Sequence, residues 1–530
     1  MTSLAHHLAA GAERSLVQSV DWTALAPVAV PAAVALVVLV ADLFLPERRK
    51  PVLGLLAVAG LVLSALALLP LLDGDRRTFC LTGQPDVCSY AADPFALSIQ
   101  FLVLGGALLT ALLSLGTIEE AELPAGEYWF LLLSAVAGAA LLPASRDLAT
   151  LVVALEVASL PTFALVGLRR GDRLSSEAAL KFFLSSVAAT AVTLLGISFV
   201  YAATGSIHMT QVAERLPGVP EQLSTLVAAG VALTLVGFAF KAAAAPFHFW
   251  VPDTYAGAPV PVAAYLSVIG KAVGFSGLIV VALVAFPSYD DVWGPVTAVL
   301  AAVTMTAGNV AALRQRAATR HSAVRLLAWS SVGQAGYLLV PVAAAAYADE
   351  PGRAVGSTVA YALMYAVVNL GAFAVVALVA RTNPANRISD YRGLYAERPL
   401  AALALGFFLL CLAGLPPGVI GLFAKVVVFQ VAVDAGLGWL AVVMAVNVVI
   451  ALYYYLRWTA VLFRAPEAAA DGARTAGADG AGAPVAGAAV PVKPAVPLPL
   501  GAAMGLSAIV GVALSGAPQV VLRFASAVLL

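Results

Sequence analysis

Residues 226–286 read LVAAGVALTLVGFAFKAAAAPFHFWVPDTYAGAPVPVAAYLSVIGKAVGFSGLIVVALVAF, and two lysines, Lys241 and Lys271, stand in runs otherwise apolar enough to cross a bilayer. A charge at the middle of a membrane helix is disfavoured by roughly 2.5–3.5 kcal/mol on insertion scales, so each lysine requires a partner, water or a function. Between them, in KAAAAPFHFWVPDTYAGAP (241–259), Pro246 and Pro252 interrupt any helix, because proline lacks the amide donor and clashes with the preceding turn. A broken helix beside a buried lysine has the makings of an ion site.

Working outward, the chain of 530 residues is 62% apolar and 11% charged. Repeated apolar runs of about 20 residues make it an all-α polytopic membrane protein with about fourteen transmembrane helices in a single membrane domain, 1–530. The first long run begins after Trp22 and is followed by PERRK, so it reads as a signal anchor rather than a cleaved signal peptide. With the N-terminus outside, the inner connections hold seventeen of the 29 Lys and Arg, among them Arg48, Arg169, Arg320, Arg325 and Arg387, whereas the outer ones hold seven, including Arg76 and Arg146. That asymmetry obeys the positive-inside rule.

The remaining cations, Lys181, Lys241, Lys271, Lys425 and Arg457, fall inside spans, and of 29 Asp and Glu only Glu156 lies deep in an apolar run. Pro161 follows Glu156 by five residues and removes the donor for the carbonyl of Val157, which loosens the fifth helix beside its only acid. The plainer reading of Glu156 is polar glue between helices. Lys181 stands about one turn inside its helix, where it either snorkels to the inner surface or serves function. His248 is placed either to shuttle protons or to bond loop backbone. In LALGFFLLCLAGLPPGVIGLFAKVVVFQ, Pro416 and Pro417 leave the carbonyls of Leu412 and Ala413 without intrahelical donors, and Lys425 follows eight residues later. Matching breaks in two halves point to structural repeats with sites near the midplane.

Asn309, Ser330, Ser331, Gln334 and Tyr337 either bridge helices or hold a water wire. Tyr453, Tyr454, Tyr455 and Arg457 read most simply as an interfacial anchor. Cys80 and Cys88, in an outer loop, either form a disulfide or remain two thiols, and Cys411 reads as a small packing residue. His321 falls in the basic connection RQRAATRHSAVR, read as an exposed inner loop without the aromatic interleaving of a nucleic-acid site. There is no nucleotide-binding glycine loop, cysteine cluster or paired membrane histidines, so no redox step or metal site is expected on this chain. One buried carboxylate and several buried amines near helix breaks suit a proton relay, because burial and pairing move lysine affinity in opposite directions.

As an ordered set, SSEAALKFFL, KAAAAPFHFWVPDTYAGAP, VIGKAVGF, LLAWSSVGQAGY and GLPPGVIGLFAKVVVF resemble the signature segments of the antiporter-like membrane subunits of respiratory complex I, from about Leu148 to Phe463. The resemblance implies fourteen helices, three N-terminal ones (24–116), two inverted five-helix repeats (128–285 and 293–463) with broken helices 7 and 12, and a C-terminal helix (496–530), while the Ala, Gly and Pro that dominate 465–495 read as a flexible cytoplasmic linker. It implies a proton relay through Glu156, Lys181, Lys241, Lys271 and Lys425, coupled to quinone reduction elsewhere in the complex. Lysine at position 425 is unlike the sibling subunit M, which usually carries glutamate there. NADH, FMN, iron–sulfur clusters and quinone are expected on other subunits, and no cofactor on this chain. Expected partners are the sibling subunit M, the small subunit K and the lipid bilayer, in a bacterial plasma (inner) membrane. The family also contains subunits of multisubunit Na+/H+ antiporters and membrane hydrogenases, the rival reading within transport; a structural scaffold without its own proton path is the rival outside it. Val324 and Arg325 stand where relatives tend to have Lys-Arg.

Overall fold

The computed structural model describes residues 20–465, 495–525 and 529. Among them, thirteen helices are long and apolar enough to cross a membrane. In chain order these are α1 (Trp22–Phe44), α2 (Glu47–Leu71), α3 (Pro94–Glu120), α4 (Ala125–Ala144), α5 (Leu148–Val166), α6 (Arg173–Thr204), α7 (Glu221–Lys241), α8 (Val260–Ala285), α9 (Pro287–Leu313), α10 (Ser322–Tyr347), α11 (Pro351–Ala380), α13 (Gly438–Leu462) and α14 (Leu498–Gly516). One more crossing, α12, is assembled from Pro399–Ala413 and Val419–Asp434. The helical count therefore agrees with the expectation from sequence. The linker expected at 465–495 lies, apart from its two end residues, outside the described residues.

Local chemistry starts several helices. Asp21, Asp93, Asp147 and Asp172 accept from first-turn amides of α1, α3, α5 and α6, which satisfies donors that a helix cannot pair internally. Proline explains both interruptions. α7 stops at Lys241, Ala243 takes a φ of 62°, the Ala245–Pro246 bond is cis, and a short helix, Val251–Gly257, follows before α8. In α12 the two pieces meet at Gly414, whose φ of 86° turns the chain, followed by a cis Pro416–Pro417 bond. Both breaks bring helix ends into the interior beside a lysine.

The interior is built from α8, α10 and α11, whose apolar windows are 83%, 94% and 89% buried, whereas α14 is only 22% buried. Lys271 thus stands on a largely buried central helix. Gly274 lets α8 meet the broken end of α7: a Cβ there would lie 2.1 Å from the amide nitrogen of Ala242. The two lysine-bearing helices are locked together at that point.

At one end of the bundle the connection between α2 and α3 is a β-hairpin, β1 (Arg76–Leu81) with β2 (Gln84–Ala92), where the sequence suggested only a loop. Cys80 and Cys88 face each other across it and are disulfide-bonded. Arg146, expected in an outer connection, is buried against this hairpin, where it pairs with Asp93 and donates to the carbonyls of Pro143 and Ser145. At the other end, residues 317–325, 385–393 and 464 are tied by backbone bonds such as His321 N to Ala385 O and Gly393 N to Arg464 O. His321 is half-buried there rather than exposed, and burial, with Arg320, Arg169 and Arg325 nearby, pushes its imidazole down to about 4. It is neutral near pH 7.

Candidate functional site

Glu156 lies on α5, where Thr190 of α6 donates to its Oε1 at 2.7 Å. Lys241, at the last turn of α7, is 6% exposed. Its ammonium lies 5.0 Å from the ring centroid of Phe163, 4.9 Å from that of Phe182 and 5.6 Å from that of Phe240. Desolvated cation–π contacts of this kind are worth up to about 2 kcal/mol each, so the cage offsets part of the penalty of burial. Trp250 stacks on Phe182 at 4.3 Å and donates its indole N–H to the carbonyl of Phe240, which closes the cage from the far side of the break. Among the described residues no ion pair within 4.0 Å joins Glu156 to Lys241. Glu156 acts on Lys241 through its charge without touching it, and the direct contacts are made by an aromatic cage that the sequence does not reveal.

Lys271 is 2% exposed and donates to Ser331 Oγ at 2.7 Å, with the Tyr255 hydroxyl at 3.5 Å. Tyr255 comes from the short helix after the break, Ser331 from α10, so the central lysine is held between the break and α10. Lys425 is 5% exposed and donates to the carbonyls of Leu412 and Ala413, the two that the prolines deprive of helical donors. Its Nζ also lies 5.8 Å from the Tyr337 ring centroid.

Polar side chains occupy the interior between these two lysines. Ser330 and the Tyr455 hydroxyl are 2.5 Å apart, Gln334 Nε2 donates to Tyr455 at 3.2 Å, and the Tyr361 hydroxyl donates to Gln334 Oε1. Tyr454 donates to Asn309 Oδ1 at 2.9 Å, while Asn309 Nδ2 donates to Asn447 at 3.1 Å and approaches Tyr337 at 3.5 Å. Tyr454 and Tyr455 are therefore buried network members rather than the interfacial anchor that their run suggested, because two successive residues of α13 both turn toward α9 and α10. Only Tyr453 and Arg457 of that group are exposed.

Lys181 is half-exposed and pairs with Glu177 at 2.7 Å and with Asp253 at 3.1 Å. Arg325 of α10 pairs with the same Asp253 at 3.0 Å, so one carboxylate ties α6 and α10 together at the basic end. Nothing in the sequence singles out Asp253, which belongs to the polar stretch of a break. His248 is half-buried, its ring 5.6 Å from that of Trp329, apart from the lysines' hydrogen bonds.

Residues 145–451, which carry Glu156 and the four lysines Lys181, Lys241, Lys271 and Lys425, match the family model described as NADH:quinone oxidoreductase/Mrp antiporter, TM. The chain belongs to this family of membrane proteins. It is 71% identical over 512 residues, 97% of this chain and 94% of the other, to NADH-quinone oxidoreductase subunit N 2 of Streptomyces griseus. Among solved structures, it is similar to a chain of respiratory complex I from Thermus thermophilus with bound aureothin, at 30% identity and a TM-score of 0.72 over 94% of this chain and 98% of that one. A chain of the Mrp complex from Dietzia shares the fold at 24% identity, with a TM-score of 0.77 over 95% and 96% of the two chains.

Proposed function

We propose that this chain translocates protons as a membrane-arm subunit of an NADH:quinone oxidoreductase, in the position that subunit N holds. The observation that carries the reading is the placement of three lysines, Lys241, Lys271 and Lys425, inside the helical bundle on three different helices, each beside a helix break or the junction of the repeats. A lysine in this setting takes or releases a proton when hydration or pairing changes. In the proposed sequence, Glu156 biases Lys241, Lys271 carries the proton across the centre, and the polar groups of α9, α10 and α13 lead to Lys425, which exchanges with the neighbouring subunit or the outside. Lys181, with Asp253 and Arg325, stands at the basic end as the approach to the first half. His248 serves at most as an accessory proton group beside the break.

Moving one charge through 100 mV takes roughly 2.3 kcal/mol, so the energy released elsewhere in the complex must shift lysine affinities by at least a comparable amount. NADH oxidation and quinone reduction belong to other subunits with their FMN and iron–sulfur clusters, and this chain contributes translocation without redox chemistry. We place it in a bacterial inner membrane beside subunits M and K. The basic end faces the cytoplasm and the disulfide-bonded hairpin faces out, in keeping with the positive-inside rule and with the compartments where disulfides persist.

NADH-driven proton pumping in vesicles carrying Lys271→Ala tests the reading, once assembly and NADH dehydrogenase activity are confirmed. Impaired quinone reduction together with impaired pumping is expected. Unchanged turnover with unchanged protons per NADH would overturn it in favour of a scaffold.

A further inference from the structure

Between α5, α6, α7 and α8 lies a cavity of about 10 Å³, lined by Ser159, Thr162, Lys241, Tyr265 and Gly270 among others. That volume is about what one water needs. Its lining is mostly apolar, and its polar side chains are Ser159, Thr162, Lys241 and Tyr265, with the indole of Trp250 at the edge. Tyr265 is 1% exposed, yet its hydroxyl has no hydrogen-bond partner among the described residues. The hydroxyls of Ser159 and Thr162 each donate to a carbonyl of their own helix, Leu155 and Ser159 respectively, which leaves their oxygens able to accept. Immediately after Tyr265, residues Leu266–Gly270 form a π turn that ends at Lys271. Such turns break the regular ladder of helix hydrogen bonds and recur at functional sites.

A buried tyrosine hydroxyl without a partner is unfavourable, and phenylalanine would fill the same space without that penalty. We propose that this cavity binds one water molecule and that Tyr265 is a positioning residue of the relay, its hydroxyl orienting that water toward the ammonium of Lys241. The inference rests on the relay reading above. When Lys241 releases its proton, an N–H bond breaks and the water oxygen takes the proton, while one of the water's own protons leaves toward the neutral amine of Lys271, next in the proposed relay, where a new N–H bond forms. Water is regenerated, and Tyr265 keeps its charge throughout, exchanging only hydrogen bonds. The junction between Lys241 and the helix of Lys271 is thereby given a defined geometry by a hydroxyl rather than by a charged side chain.

Tyr265→Phe and Lys241→Ala, made separately in the full complex and normalised to NADH oxidation by an artificial acceptor, test this. For Tyr265→Phe, coupled proton pumping is expected to slow about threefold to tenfold, the change one lost hydrogen bond makes in a rate, with an altered solvent deuterium isotope effect. A high-resolution map of the parent complex is expected to show water density within hydrogen-bond reach of Lys241 Nζ and the Tyr265 hydroxyl, and the variant's map to lose it. Full pumping with an unchanged isotope effect in Tyr265→Phe, while Lys241→Ala is inactive, would overturn the role of Tyr265 and leave the relay standing. Full pumping in Lys241→Ala would overturn the relay and this inference with it.

Discussion

Lys425 Nζ donates to the carbonyl oxygen of Leu412 at 2.6 Å and, in the same grip, to that of Ala413 at 2.8 Å. Pro416 and Pro417 have no amide hydrogen to offer those carbonyls. The ammonium therefore replaces two backbone donors, and the helix break and the lysine are one device. A neutral amine retains two N–H donors, so the contacts outlast loss of the proton but weaken, since charge-assisted bonds are roughly twice as strong as neutral ones.

Replacement of Lys425 by methionine keeps the length and removes the donors. Each buried carbonyl left unpaired is unfavourable by about 1–3 kcal/mol, so the solubilised complex should lose thermal stability as well as coupled pumping, while Lys425→Arg should retain more of the stability. A thermal unfolding series on the three proteins checks this. A methionine variant as stable as the parent would show that the carbonyls find other donors.

Gly421 packs against the first piece of α12 so closely that a Cβ would fall 1.7 Å from the carbonyl oxygen of Cys411. Backbone cannot yield as a flexible side chain does. Gly421→Ala should therefore displace the second piece of α12 and unseat Lys425, lowering subunit incorporation and pumping together. Native electrophoresis of membrane extracts reads the first effect, and normal incorporation would refute the expectation.

Asp253 joins Lys181 and Arg325 in a half-exposed cluster. Pairs of that exposure are worth about 0.2–1 kcal/mol, so Asp253→Asn should lower stability only slightly. Its effect should be coupled to that of Arg325→Gln, the second substitution changing little once the first is made. A double-mutant cycle in thermal stability measures the coupling, and strict additivity would show that the ion pair contributes nothing.

The chain has three cysteines, of which Cys80 and Cys88 are joined and Cys411 is buried. In denaturant, alkylation before reduction should label one thiol and alkylation after reduction three. Three labelled thiols before reduction would show the hairpin to be reduced in the cell.

Much of this architecture is legible in the sequence. Apolar run length determined the crossings, because a bilayer core admits only helices of that length. Proline positions determined where α7 and α12 break and which carbonyls of α12 are freed, because the missing amide is a covalent fact. The rarity of charge in apolar runs picked out Glu156, Lys241, Lys271 and Lys425. Tertiary structure decided what each group touches. The three phenylalanines around Lys241 come from α5, α6 and α7, Ser331 reaches Lys271 from 60 residues away, and Tyr455 meets Ser330 across 125. No periodicity within one helix reports which face of another helix lies opposite, so the cage, the Asp253 bridge and the burial of Tyr454 and Tyr455 were set only when the helices packed.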